Sequence, residues 1–254
     1  MKTVKNTDKT RFALALGDDA LVMGQRLSEW VSNGPFLEED LALTNVALDY
    51  IGRSRMFLTY AGELEGEGRG EDDLAFYRDC REFTNLLIFE LPIGDFGNTM
   101  ARQYLIDEFE VAYFEALCKS SDETIAAIAA KTLKECRYHL RRSREWILRL
   151  GDGTEESHQR IQAAFDEIWP YVQELFEMPE YETGLLEDGV AVDRASLKPD
   201  WDAEVGNTLR EATLNVPETT HVIRGGRDGV HTEHMGFLLA DMQFMQRAYP
   251  GLEW

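Results

Sequence analysis

The stretch Glu123–Leu150, ETIAAIAAKTLKECRYHLRRSREWILRL, decides the fold class. Within it Ala126, Ala129, Leu133, Cys136, Leu140, Ser143, Ile147 and Leu150 recur at alternating spacings of three and four. That repeat stacks side chains on one face of an α-helix. A second stripe runs beside the first: Ile125, Ile128, Thr132, Glu135, His139, Arg142 and Trp146. Two adjoining stripes predict a broad buried face, as a central helix in a bundle requires.

Working outward, the GDG at Gly151–Gly153 closes this helix. Upstream, Met100, Tyr104, Asp107, Val111, Phe114 and Cys118 repeat the helical spacing and predict a helix from about Asn98 to Lys119. Further helices are expected over Asp18–Val31, Leu37–Glu65, Asp73–Glu90, Glu156–Glu177, Asp200–Leu214 and Thr232–Ala248. Asp18 or Asp19 reads as the cap of the first, after Gly17, and Pro170 predicts a kink in the Glu156–Glu177 helix. The glycine-rich, charged Gly66–Asp73 stretch reads as a loop, and residues 179–199 as a connector. No window alternates with period two for long, which argues against a sheet. Two helices of about 28 residues would each span roughly 40 Å at 1.5 Å per residue. The expectation is an all-α, long-helix bundle with additional C-terminal helices: one domain over residues 17–254, preceded by a flexible polar tail at 1–16.

Composition narrows the function. A net charge of -21 argues against nucleic acid, whose phosphates need clustered lysines and arginines. Only seven of the 26 basic residues are lysine, and the acidic residues are spread along the chain, a balance suited to a high-salt cytoplasm. No run approaches the ~20 apolar residues of a membrane helix, and MKTVKNTDKTRF carries no signal-like apolar core, so a cytoplasmic location is expected. Three scattered cysteines, Cys80, Cys118 and Cys136, read as reduced, mostly space-filling thiols, with a nucleophilic role as the minority alternative.

Long bundles with inward-facing carboxylates raise the question of a carboxylate-bridged di-iron centre. Such a site takes one Glu from each of two helices and Glu-x-x-His from each of two others. No pair of Glu-x-x-His motifs is found on the long helices. Asp49-Tyr-Ile-Gly52 has glycine where the histidine belongs, Glu135-Cys-Arg-Tyr138 lacks the imidazole, and Cys136-Arg-Tyr-His139 lacks the carboxylate. With Asp107 on its own apolar stripe, the degenerate set is Asp49, Asp107, Glu135 and His139, a poor cage for two irons. The structural reading pairs these four with one another and with Arg53 or Arg142, because buried charges demand partners.

Two other patterns carry weaker signals. His231-Thr-Glu-His234 has the spacing of a metal pair, but Thr232 is a good helix cap and no third ligand stands nearby in sequence, so capping and packing are expected. Arg224-Gly-Gly-Arg-Asp-Gly229 reads as a solvated turn, with a grip on an anionic ligand or partner as the alternative.

The runs LALTNVALDYIGRSR (Leu41–Arg55), ARQYLIDEFE (Ala101–Glu110), KECRYHLRRSREW (Lys134–Trp146), EATLNVP (Glu211–Pro217) and GVHTEHMGFLLADMQFMQR (Gly229–Arg247) resemble the C subunit of the phenylacetyl-CoA epoxidase complex. The resemblance spans about Gly17 to Trp254. It implies a ferritin-like fold and a place in phenylacetate degradation, where a multicomponent oxygenase uses O₂ and NADPH-derived electrons to epoxidise the ring of phenylacetyl-CoA. In that family the di-iron centre lies in the homologous A subunit, a reductase delivers electrons, and the C subunit is a structural partner packed against A. The resemblance therefore implies no catalytic residue and no cofactor in this chain. By residue type alone, Trp30, Trp146, Trp169, Trp201 and Trp254 are candidate interface anchors. Two alternatives stay open: a self-contained ferritin-like di-iron or mono-iron oxygenase, and a homo-oligomeric ferritin-like storage or stress protein.

Overall fold

The computed structural model describes residues 2–252, with side chains from residue 7 onward. Among the described residues there are ten α-helices and no strand: α1 (Lys2–Ser28), α2 (Leu37–Glu65), α3 (Glu71–Phe76), α4 (Leu87–Glu90), α5 (Phe96–Leu117), α6 (Glu123–Gly151), α7 (Glu155–Ile168), α8 (Glu180–Glu187), α9 (Lys198–Glu211) and α10 (Glu233–Ala248). The chain is all-α and of the ferritin-like long-helix class, with α8 to α10 as the additional C-terminal helices. Its contacts gather into two compact units. The first holds Met1–Pro92, Pro179–Leu185 and Gly225–Trp254; the second holds Ile93–Met178 and Leu186–Arg224.

In the first unit α1 and α2 run antiparallel. Gly17 lies so close to α2 that an added Cβ would stand 2.6 Å from Leu58 Cδ2, while one turn-pair later Gly24 faces Ile51 and the carbonyl of Ala47. This close approach corrects the expected N-terminus. Residues 2–16, read as part of a tail, belong to α1, with Phe12, Ala13 and Ala15 fully buried. Gly17, taken as a helix boundary, is an interior residue whose missing side chain lets two backbones meet. Asp18 and Asp19 consequently lie in mid-helix and do not cap it.

The expected Asp73–Glu90 helix is broken into α3, a 3-10 turn at Cys80–Glu82, an extended stretch over 83–86 and α4. The two aspartates of α1 are the reason. Thr84 N–H donates to Asp18 Oδ2 at 2.9 Å and Leu86 N–H to Asp19 Oδ1 at 2.8 Å, so these amides serve carboxylates instead of carbonyls one turn back.

In the second unit α5 and α6 pack antiparallel, and both stripes read from residues 123–150 point inward: Ile125, Ala129, Thr132, Cys136, His139 and Ile147 are all buried. The kink expected at Pro170 is a change of helix type, α7 ending at Ile168 and a 3-10 helix running over Trp169–Phe176. Phe109, Phe176 and Trp201 stack edge to face at 5.5 and 5.4 Å, and Trp201 Nε1–H donates to Leu105 O at 3.1 Å. Trp201 and Trp30 are therefore core residues and not surface anchors. Trp146 and Trp169 are half-buried, and Trp254 lies outside the described residues.

Candidate functional site

The four degenerate positions fall on three helices. Asp49 is half-buried on α2 in the first unit; Asp107 on α5, with Glu135 and His139 on α6, belongs to the second. Asp107 and His139 are buried, and Glu135 is half-buried. Both oxygens of Asp107 are engaged. Gln103 Nε2 donates to Oδ1 at 2.6 Å from one turn earlier, and Ser143 Oγ donates to Oδ2 at 2.7 Å from α6. Neither donor was expected as the partner of Asp107.

Towards one end of the same helix pair, the Arg142 guanidinium approaches Met100 Sδ at 3.7 Å; towards the other, the Cys136 thiol donates to Glu110 Oε2 at 3.4 Å. Where a di-iron bundle presents open carboxylates and imidazoles, this interior offers an amide, a hydroxyl, a thioether and a thiol. Among the described residues no group of three or more His, Cys, Asp or Glu side chains is placed to hold a metal ion. The donor set does not fit two irons: both oxygens of Asp107 already accept hydrogen bonds, and Cys136 faces a carboxylate that would have to be stripped from it.

The first unit holds a second buried polar array that sequence reasoning missed. Asp18 is wholly buried and meets Arg78, whose Nη1 lies 3.1 Å from Oδ2 and whose Nη2 bonds Oδ1. Asp19 binds Arg227 in a fork, Nη1–Oδ1 2.9 Å and Nη2–Oδ2 2.6 Å, and the same guanidinium donates to Thr84 O. Burial alone would push the Arg227 pKa down; the Asp19 charge and hydrogen bonds more than offset it and hold it above the ordinary arginine value. Within the RGGRDG turn Arg227 is committed inside the chain, while Arg224 and Asp228 remain exposed as a solvated turn requires. Gly226 fits against the backbone so tightly that a Cβ would stand 2.1 Å from Asn85 O.

Next to it, His231 Nδ1 stands 2.7 Å from Glu90 Oε2 and Nε2 stands 2.9 Å from Phe83 O. Both neighbours are acceptors, so both ring nitrogens carry protons and the imidazolium is the species held. Burial, the largest influence, lowers its pKa, but the Glu90 hydrogen bond and charge, with the Phe83 carbonyl, outweigh it and leave the value raised. Glu90 also accepts from Thr232 N–H at 2.6 Å and Asn85 Nδ2 at 2.9 Å, while Arg26 Nε and Nη2 bind its backbone carbonyl at 2.9 and 2.8 Å. The expected capping role of Thr232 is present, its Oγ accepting from His234 N–H at 3.3 Å. One signal could have revealed the array. The pair Asp18–Asp19 sits inside the apolar run FALALGDDALVM, where a cap is out of place and a buried partner is obligatory.

Other titratable groups offer little chemistry. Burial and the Glu90 charge push the Cys80 thiol up, away from a reactive thiolate. Glu108 on α5 is pushed up to about 7 by burial and by Glu204 of α9, with Arg144 partly offsetting.

An all-α chain built on long helices defines a ferritin-like protein. The chain matches the family model described as "Phenylacetic acid catabolic protein" over residues 1–254, and it belongs to that family. It is 51% identical over 245 residues to the C subunit of the 1,2-phenylacetyl-CoA epoxidase of Escherichia coli (strain K12), covering 96% of this chain and 98% of that relative. No helix among the described residues is long and apolar enough to cross a membrane.

Proposed function

We propose that this chain is the structural, non-catalytic subunit of a cytoplasmic multicomponent phenylacetyl-CoA epoxidase in phenylacetate degradation. It packs against and stabilises a homologous A subunit that carries the di-iron centre, while a separate reductase supplies electrons. The observation that carries this reading is the engagement of Asp107 by Gln103 and Ser143, which ties both oxygens of the best-buried carboxylate of the degenerate set to donors of this chain. The similarity to a named subunit of an epoxidase supports the reaction class. Large exposed apolar side chains on α2 (Leu37, Leu41, Leu48) and α10 (Phe237, Phe244) support the need for a partner.

The test is co-expression with the A subunit, followed by sizing and iron analysis of each chain. A hetero-oligomer with iron confined to the A subunit is the expected result. Iron bound in stoichiometric amount by this chain alone would instead favour a self-contained oxygenase. A closed homo-oligomer that ignores the A subunit would favour a storage or stress protein.

A further inference from the structure

The outward face of α10 is apolar where a surface helix is ordinarily polar. Phe237 and Phe244 are 73% and 63% exposed and lie two turns apart on one stripe. Beside them a groove of about 540 Å³, within the first unit, is lined by Cys80, Gly236, Leu239, Ala240, Gln243 and Phe244. Gly236 and Ala240, one turn apart, leave the helix backbone open to close approach, and a Cβ built at Gly236 meets nothing within 4 Å. Two adjacent phenylalanines beside a furrow of small residues match the ridge and groove of a helix–helix contact.

The charges on this face select the occupant. Glu233 and Asp241 are exposed, whereas Arg247, also exposed at the groove, is already bound to Asp79 at 3.0 Å and to the carbonyls of Phe76 and Arg78 at 3.0 and 2.8 Å. A second copy is a poor fit. Antiparallel two-fold pairing that sets Phe237 on the other copy's Phe244 brings Asp241 against its own counterpart, between chains of net charge -21 each.

Building on the function proposed above, we infer that the α10 face docks an amphipathic helix of the A subunit that carries a lysine or arginine opposite Asp241. The two phenylalanines are the buried anchors, and Asp241 sets register and specificity.

Binding of the purified full-length chain to the A subunit tests this, with circular dichroism and thermal melting as fold controls. Phe237→Asp with Phe244→Asp is expected to weaken the complex at least ~100-fold. Gly236→Phe, whose Cβ meets nothing within 4 Å and whose ring would occupy the groove, is expected to block docking at an unchanged melting temperature. Asp241→Lys is expected to weaken binding most at low salt. Near wild-type affinity for both Gly236→Phe and the double variant overturns the inference. So does a wild-type homodimer that these variants dissociate while A-subunit binding persists. Failure of the wild-type chain to bind the A subunit at all refutes the parent reading, a distinguishable result.

Discussion

Asp19 and Arg227, 208 residues apart in sequence, meet in a two-point ion pair with both N–O distances under 3 Å, Nη2–Oδ2 2.6 Å and Nη1–Oδ1 2.9 Å. Through Leu86 N–H on Asp19 and Thr84 O on Arg227 the pair also pins the extended stretch between the two short helices α3 and α4. One contact therefore joins the N-terminal helix, the broken middle segment and the turn that leads into α10.

Removing one member strands a buried charge. Asp19→Ala or Arg227→Met should lower unfolding stability by about 3–5 kcal/mol in urea denaturation. The double substitution Asp19→Leu with Arg227→Met should cost clearly less than the sum of the two, because no charge is left unpaired. Additive losses would show that the pair contributes little beyond two independent contacts.

The His231–Glu90 bond makes stability pH-dependent with a fixed sign. The folded pKa of His231 is raised above its ordinary 6.5, so its contribution is fully present below pH 6.5 and is lost as pH rises through the higher folded value. Wild-type stability should decline over that window, and His231→Gln should flatten this part of the profile. A profile unchanged by the substitution contradicts the imidazolium assignment.

Glu108 acts in a neighbouring range for a different reason. Its folded pKa, about 7, lies above the ordinary 4.5, so the protonated carboxyl favours folding and this contribution is lost as pH rises through 7. Glu108→Gln should gain roughly 1–2 kcal/mol relative to wild type between pH 5 and pH 8.5, after allowance for partial exposure. Equal effects at both pH values would rule out a raised pKa.

These sites also mark how far the sequence could be read. The periodicity of residues 123–150 located α6 and both of its buried stripes, and Leu37–Glu65 was placed at its observed bounds, because packing and local propensity agree there. The errors cluster where long-range polar contacts override local signals. Gly17 looked like a helix boundary because its contact with Leu58 has no local trace. The stretch over 83–86 looked helical because the carboxylates that unwind it lie 66 and 67 residues away. At Asp107 the donor Gln103 stands one turn earlier on the same helix and had a local signal, whereas Ser143 became visible only once α5 and α6 were placed together.

The division of labour predicts the behaviour of the degenerate positions themselves. His139→Ala or Asp107→Asn should lower epoxidation only in proportion to lost stability or assembly, with turnover per intact complex unchanged. A complex of normal size and melting temperature that has lost turnover would place chemistry in this chain.

Iron content and turnover of the separated proteins test the central claim most directly. The account predicts that the purified chain holds essentially no iron and does not oxygenate phenylacetyl-CoA, while iron and turnover follow the A subunit into the reconstituted complex. A pair of irons bridged inside this chain, with oxygenation by the chain and reductase in the absence of the A subunit, would contradict it.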